Sequence, residues 1–168
     1  MTVTYDKIAT TTLGSNQASV TFSSISASYT DLVLIISCRL VSAGYAAFLR
    51  FNSDSGNNYS LTELYGTGSS AASARVSNID SAYLTNNLPI GATSSVYAPI
   101  IVNVMNYSNT TTYKTVLSRF NNANTGVSAM VDLWRSTSAI NQIEVGLTTG
   151  GGNYASGSTF TLYGIKAE

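Results

Sequence analysis

Residues 32–40 read LVLIISCRL and are the most apolar run in the chain. Successive side chains of a β-strand point to opposite faces, so alternate residues of this run share a face. The other face begins apolar and becomes polar at Ser37 and Arg39. This pattern predicts a strand in the interior of a sheet, and the run is shorter than the roughly 20 apolar residues that span a bilayer. The face that would meet the core is apolar throughout and carries Leu32, Leu34, Ile36, Cys38 and Leu40.

The length and composition predict a single folded domain over residues 1–168. The chain is 44% hydrophobic, and a domain of this size buries about 70% of the surface that its unfolded chain exposes. Only 10% of the residues are charged, against about 25% in an ordinary domain, and serine, threonine and asparagine take their place. Because the apolar residues are mostly β-branched or aromatic and fall in short alternating runs, we expect a folded β-protein and not a disordered chain.

Short alternating runs recur along the whole chain, and none has helical spacing over three turns. About ten such runs, separated by turns rich in glycine, asparagine and serine, predict an all-β fold: an antiparallel β-sandwich of the jelly-roll kind. The first run, residues 5–13, and the last, residues 160–165, are each expected to pair with a neighbouring strand. Residues 66–77 and 86–96 lack this alternation, and we predict that both are long loops that form an interaction surface.

Charge and cysteine content limit the partners and the compartment. Eight basic and eight acidic side chains give a net charge of zero, and there is no basic block. The sequence therefore predicts neither nucleic-acid binding nor attachment to a membrane surface. The first residues, MTVTYDKIAT, lack the apolar segment of a signal peptide, so synthesis in a reducing cytoplasm is expected. Cys38 is the single cysteine, and its parity predicts an inert thiol packed in the core.

The sequence offers little catalytic chemistry, and we predict that the protein is not an enzyme. It contains no histidine, which excludes Ser-His-Asp and Cys-His triads and removes the commonest transition-metal ligand. A glycosidase needs only two carboxylates, and Asp132 and Glu144, on strands expected to be neighbours, form the best pair. A structural role is favoured, with Asp132 paired to Arg119 or Arg135 and Glu144 in solvent. No catalytic, cofactor-binding or metal-binding residue is assigned.

Three further groups of residues have both a functional and a structural interpretation. Residues 52–58, NSDSGNN, alternate oxygen ligands as a calcium loop does, but the glycine is fifth and not sixth as in an EF-hand, so a hairpin turn is favoured. Trp134 either packs in the core or contacts a partner, and both alternatives remain open. Four arginines within predicted strands are expected to pair or stack inside the fold: Arg39, Arg50, Arg119 and Arg135.

Five phrases of the sequence together resemble a family of tailed-bacteriophage virion structural proteins. They are YDKIATTTLGS from Tyr5, LRFNSDSGNNYS from Leu49, NTTTYKTVLSRFNN from Asn109, LWRSTSAINQIEV from Leu133 and GSTFTLYGIKA from Gly157, and they span nearly the whole chain. Members of this family are small jelly-roll or β-sandwich proteins, either free-standing or modules of larger structural proteins. The resemblance implies a component of the virus particle and brings no catalytic motif with it.

The resemblance implies one of two functions. In the first, the protein is a head decoration, or cement, protein that binds the major capsid protein on the outer capsid surface and stabilises the shell. In the second, it is a tail-fibre or receptor-binding module that recognises host carbohydrate with exposed tyrosines and the loops at 66–77 and 86–96. A compact chain that starts at its own Met1 and has no fibrous stalk favours the first. Many tyrosines and few charges also predict self-association, as a homotrimer. The residues that contact a partner are not identified by the sequence.

Overall fold

The computed structural model describes residues 4–44, 46–148 and 152–166, which form an all-β protein. No helix occurs in these ranges, so they hold none that could cross a membrane. The strands in chain order are β1 (Tyr5–Thr12), β2 (Ser19–Phe22), β3 (Asp31–Cys38), β4 (Ala47–Phe51), β5 (Tyr59–Gly66), β6 (Ala71–Ile79), β7 (Ala82–Tyr83), β8 (Ala98–Met105), β9 (Lys114–Asn122), β10 (Gly126–Trp134), β11 (Ile143–Leu147) and β12 (Thr159–Ile165).

These strands pair antiparallel and form two sheets. The large sheet has the order β1-β12-β3-β8-β9-β10-β5-β6, and the small sheet has the order β2-β11-β4-β7. Eight of the strands, β1-β12-β3-β8 in one sheet and β2-β11-β4-β7 in the other, follow the strand order of a jelly roll. The prediction of a single-domain antiparallel β-sandwich of this kind is therefore confirmed.

Two hairpins are inserted into the jelly roll and lengthen its large sheet. The hairpin β5–β6 follows β4, the hairpin β9–β10 follows β8, and β5 pairs with β10. The hairpins reach the jelly roll through the pairing of β9 with β8. We call β1, β12, β3 and β8 the jelly-roll half of the large sheet, and β9, β10, β5 and β6 its inserted half.

Strand β3 lies in the interior of the large sheet, as the run LVLIISCRL predicts. It pairs with β12 on one side and β8 on the other. Burial raises the pKa of the Cys38 thiol to about 12, in agreement with the predicted inert thiol. On the opposite face of the strand Ile35 is exposed. The predicted core face is completely buried, with no exposed surface on Leu32, Leu34, Ile36, Cys38 or Leu40.

The first and last strands each pair with a neighbouring strand, as expected, and that neighbour is in part the other of the two. Strand β12 lies between β1 and β3, with Leu162 opposite Leu34 of β3 and opposite Ala9 of β1. Strand β1 is one edge of the large sheet, and β6 is the other. Removal of β12 would therefore separate β1 from the rest of the jelly-roll half.

The loop predicted over residues 66–77 is mostly a strand. The chain turns at residues 67–70, where the Thr67 N–H donates to the Ser70 carbonyl, and β6 then pairs with β5. The apolar alternation is missing because β6 is an edge strand, most of whose side chains are exposed or half-buried on both faces. The second predicted loop, residues 86–96, is a loop. Residues 150–152 read GGG, which the sequence predicts to form a loop, and they lie outside the described residues except for Gly152.

An aromatic cluster anchors the inserted half to the small sheet. Trp134 at the end of β10 is buried, and its ring stacks on Tyr59 of β5 with centroids 6.2 Å apart. Phe51 of β4 contacts Trp134 at a centroid distance of 5.5 Å. Of the two alternatives for Trp134, packing in the core is therefore correct.

Candidate functional site

The outer face of the inserted half exposes an unusual number of aliphatic side chains. Leu64 is 62% exposed, Val127 59%, Val131 48% and Leu117 42%. These residues lie on the adjacent strands β5, β10 and β9. Single exposed aliphatic residues are ordinary on a protein surface, but contiguous ones mark interaction sites.

The strand register makes these side chains one continuous surface. Along one row across the sheet, Ile101 lies opposite Arg119, and Ala129 lies between Arg119 and Leu64. In the next row Val131 lies opposite Leu117, and Val127 lies near the start of β10. We call the apolar members of this surface the outer patch; it comprises Leu64, Leu117, Val127, Ala129 and Val131 of the inserted half and Ile101 of the neighbouring strand β8.

A groove of about 620 Å³ follows the outer patch near the β5–β6 turn, and Ala71, Pro99 and Ile101 contribute to its walls. A second depression of about 430 Å³ lies across β5, β10 and β9, where Leu117 and Val131 form part of the lining. Grooves with aliphatic walls and few polar groups accept apolar side chains better than they accept sugars, which bring many hydroxyl groups. The shape and chemistry of this face therefore favour a protein partner.

Arg119 lies in the middle of the outer patch and is exposed. Its side chain makes no hydrogen bond, ion pair or ring contact with any residue in the described ranges, so its predicted structural pairing is wrong. Arginine is enriched at the centres of protein interfaces, where its five N–H groups can bond to a partner. The patch thus combines an aliphatic surface with one cation that no described residue engages.

The other three arginines contact neighbours within the fold, as predicted. Arg50 forms ion pairs with Asp80, at 3.1 Å, and with Glu144, at 3.5 Å. Glu144 is therefore engaged in a network and is not simply a solvent-exposed residue. The remaining contacts are those of Arg39, which lies over the ring of Tyr97, and of Arg135, which donates to the carbonyl of Asn57 at 2.7 Å.

The two carboxylates expected to be neighbours are far apart in the topology. Asp132 lies on β10 of the large sheet and Glu144 on β11 of the small sheet. Asp132 is completely buried on the inner face, while Arg119 is exposed on the outer face and Arg135 donates to Asn57 and Asn78, so both alternatives for the predicted ion pair are wrong. Burial raises the pKa of Asp132 well above its ordinary value, and the charge of Glu63 raises it further, against the hydrogen bond from the Tyr83 N–H.

Residues 52–58 form a turn that closes on itself, as predicted, and not a cation loop. The Asp54 carboxylate accepts hydrogen bonds from the Gly56 N–H at 2.9 Å, from Asn58 Nδ2 at 3.0 Å and from Trp134 Nε1 at 2.7 Å. Partial burial acts to raise the pKa of Asp54, but these hydrogen bonds and the charge of Arg50 outweigh it and lower the pKa. The carboxylate therefore fastens the aromatic cluster to this turn.

The two segments expected to recognise carbohydrate contact different faces of the large sheet. Asn86 and Asn87, from the loop at 86–96, donate hydrogen bonds to Glu63 on the inner face of the large sheet. Ala71, from the segment 66–77, instead lines the groove on the outer face. Of the aromatic residues that could stack on a sugar, Tyr5, Tyr97 and Tyr113 are exposed, while four others are buried: Tyr59, Tyr107, Tyr154 and Trp134.

Comparisons with known proteins identify no family for this chain. No protein-family model matches it, and neither does any curated protein. A structure of alginate lyase Aly36B is similar at 10% identity and a TM-score of 0.41, over 95% of this chain and 80% of that one. A variant of the lyase in complex with alginate tetrasaccharide is 12% identical, with a TM-score of 0.37 over 98% of this chain and 74% of that one. A variant in complex with alginate trisaccharide is 9% identical, with a TM-score of 0.31 over 94% of this chain and 80% of that one. With TM-scores below 0.5, these similarities carry no argument about a substrate or mechanism of this chain.

The prediction that the protein is not an enzyme is contradicted by this comparison, because the similar solved structures are those of an enzyme. The absence of histidine excludes fewer kinds of catalysis than the prediction assumed. A chain without histidine can still use tyrosine, lysine, aspartate and glutamate as general acids and bases, and this chain contains all four. The resemblance to virion proteins stays a prediction, since no comparison links the chain to them.

Proposed function

We propose that this protein decorates the outer surface of an assembled bacteriophage head and stabilises it, with the outer patch as its binding surface. The observation that carries the proposal is the exposure of contiguous aliphatic side chains on three adjacent strands, β5, β10 and β9, of a sandwich that is otherwise well packed. The sequence resemblance supplies the class of partner, and the patch supplies the means of attachment.

The outer patch has the chemistry of a protein interface. Complete burial of a valine or leucine side chain is worth about 1.5–3 kcal/mol, so several such residues can offset the entropy lost on association. Arg119 would then find hydrogen-bond acceptors on the partner. Because the chain has no net charge, attachment should depend on apolar contact and change little with salt concentration.

Stabilisation of a shell follows from linkage. A protein that binds the assembled shell, and not its separate subunits, stabilises the shell by about 2.7 kcal/mol per site at a hundredfold excess over Kd. Repeated over many sites, this resists the internal pressure of packaged DNA. We also expect the free protein to form a trimer, which light scattering at tens of micromolar would detect; a monomer at that concentration would contradict the trimer.

The proposal can be tested with heads that lack the protein, to which purified protein is added back. The readout is the temperature at which DNA is released. Wild-type protein should raise this temperature, and the double variant Leu64→Asp/Val127→Asp should not, because two charges in the patch would have to be buried. Thr10→Asp, an exposed position on the outer face of β1 and outside the patch, is the matched control and should act as wild type does.

The alternative function makes a different prediction in the same experiment. A receptor-binding module would leave the release temperature unchanged, and labelled protein would be found in a few copies at the tail. That combined result would overturn the proposal.

A further inference from the structure

Strand β6 leaves one long edge of the large sheet open. The edge strands of the two sheets, over the described residues, are β1, β6, β2 and β7. Proteins protect such edges from other chains by short length, β-bulges and charges. β2 has four residues and β7 two, and β1 is interrupted by a β-bulge after Lys7 and carries the charges of Asp6 and Lys7. β6 has nine residues, no proline and a single charge, on Arg75, so it is the least protected of the four.

Half of the backbone groups of β6 point away from β5. The Thr67 N–H donates to the Ser70 carbonyl at 3.0 Å across a turn with two central residues, so these two residues form a hydrogen-bonded pair. Such pairs alternate with non-hydrogen-bonded ones along an antiparallel ladder, and the register over residues 71–77 is unbroken. The residues whose N–H and C=O groups point outward are therefore Ala71, Ser73, Arg75 and Ser77. These groups bond to no described residue.

On the outer face, β6 adjoins the outer patch and adds a second cation to this side of the sheet. Ala71 lines the larger groove and Ser73 the second depression. Of the charged residues on the four strands of the inserted half, only Arg75 and Arg119 belong to the outer face. Neither forms an ion pair with a described residue. This face therefore suits a partner with an acidic side chain.

On the inner face, β6 offers small apolar side chains. Ala72, Ala74 and Val76 alternate with the outward-facing residues of the strand. Ala74 and Val76 are only half-buried, so a neighbouring strand with apolar side chains on this face would cover them.

We propose that β6 accepts an added antiparallel strand: an extended segment of a partner protein that places apolar side chains on the inner face and an acidic side chain beside Arg75. In strand addition at an open edge, backbone hydrogen bonds supply the affinity, and alternate side chains supply the specificity. The added strand would extend the surface of the outer patch. This inference deepens the proposed function, and it rests on that function only for the capsid as the source of the segment.

A second copy of this chain fits the edge less well. A symmetric antiparallel pair that uses all of residues 71–77 has Ala74 on its two-fold axis. The two copies of Arg75 then lie on one face as diagonal neighbours, with Cβ atoms about 7–8 Å apart. Like charges so placed repel each other, and no acidic side chain of the described outer face compensates them. An acidic segment gains an ion pair at the same place.

Amide hydrogen exchange of the full chain, measured by NMR, tests the proposal. The probe is a capped peptide of seven residues with valine at the second, fourth and sixth positions, glutamate at the third and threonine elsewhere. Paired with residues 71–77, its glutamate lies opposite Arg75 and its valines lie on the inner face. The amides of Ser73, Arg75 and Ser77 should exchange rapidly in the free protein and several-fold more slowly in millimolar peptide. The inward amides of β6 should be protected in both states.

Two proline variants separate strand addition from other binding. Ser73→Pro removes an outward N–H and no bond to β5, a position where edge strands tolerate proline, and it should lose the protection. Thr10→Pro is the matched control on the edge strand β1. Its N–H points away from β12 by the same alternation, counted from the Leu13 N–H that donates to Ser158, and this variant should keep the protection.

A charge exchange tests the acidic preference. Arg75→Glu should weaken binding of the peptide, and a peptide with lysine in place of glutamate should restore it. Unchanged exchange of Ser73, Arg75 and Ser77 in millimolar peptide would overturn the proposal. Protection that rises with protein concentration and not with peptide would also overturn it and assign the edge to a second copy. Since no heads are used, protected amides together with an unchanged DNA-release temperature would reject the capsid as partner and leave strand addition in place.

Discussion

The two halves of the large sheet have the same alternation of buried and exposed residues but different chemistry. In the jelly-roll half the core face is apolar. In the inserted half the buried face mixes apolar side chains with carboxylates and hydroxyls, and the exposed face carries contiguous aliphatic side chains. One row across the inner face of the sheet contains both kinds in succession, from the jelly-roll half to the inserted half: Leu162, Leu34, Val102, Ser118, Met130 and Glu63.

This contrast separates stability from function. Burial of the apolar row in the jelly-roll half stabilises the fold without any partner. The inserted half also buries apolar side chains, among them Val116, Phe120 and Trp134, but it leaves buried polar atoms without partners and aliphatic side chains in water. Such local conflict is characteristic of functional sites. We infer that the jelly roll is the scaffold and that the inserted half is the part that binds.

The largest expected effect comes from removing a scaffold strand. Truncation after Gly157 deletes β12, which lies between β1 and β3. It should abolish soluble folding, because it exposes the core face of β3 and leaves β1 without a partner. Solubility on expression and the far-UV circular dichroism spectrum are the measurements. A soluble truncated protein with normal thermal unfolding would show that the jelly-roll half is not the scaffold.

Substitution of one leucine in each half compares them directly. Leu34→Ala, at a fully buried position, should cost about 2–5 kcal/mol of the free energy of unfolding, because it leaves a cavity. Leu64→Ala, at a position 62% exposed, should change it by less than about 0.5 kcal/mol. Urea unfolding measures both. Equal losses would mean that the outer patch is structural.

The junction between the inserted half and the small sheet gives a pH-dependent test. The folded-state pKa of Asp54 is lowered, so its interactions stabilise the fold above the ordinary carboxyl pKa of about 4 and are lost as the pH falls through the folded-state value. Asp54→Asn should therefore cost about 1–2 kcal/mol at pH 6, and less as the pH approaches 3. Chemical unfolding between these values measures the difference. A difference that is independent of pH would rule out the ionised hydrogen bond to Trp134.

The smallest effect concerns Cys38 in the jelly-roll half. Burial raises its pKa to about 12, so the neutral thiol is favoured in the folded protein, and this contribution to stability decreases as the pH rises above the ordinary cysteine value toward 12. At pH 8 a disulfide reagent such as DTNB should modify Cys38 only after denaturation. Rapid modification of the native protein would show that this half is open to solvent.

Much of the scaffold could be predicted from the sequence, because every second residue of the run that contains β3 is apolar, and these residues form the buried face. Strand β6 could not, since an edge strand needs no apolar face. The outer patch was missed because β10 carries apolar side chains on both parities, Val127 and Val131 on one and Met130 and Trp134 on the other. A shift of one residue would exchange the two sets. Packing of Trp134 against Phe51 decides the parity and turns the valines outward.

The burial of Asp132 had a weak signal in the sequence. Asp132 shares parity with Trp134, so burial of the tryptophan implies burial of the carboxylate. Its neighbour Glu63 could not be identified in advance, because the pairing of β5 with β10 joins residues about 70 positions apart in the chain. Long-range pairing of inserted hairpins is not encoded in any local pattern.

Hydroxyl-radical footprinting of the protein, free and bound to heads, tests the central claim most directly. Oxidative labelling reports the exposure of individual side chains. We predict that Leu64, Leu117 and Val131 of the inserted half lose their label on binding, while Tyr5 on the edge strand β1 keeps its label. Protection of Tyr5 with continued labelling of Leu64 and Val131 would contradict the account and place the binding surface on the jelly-roll half.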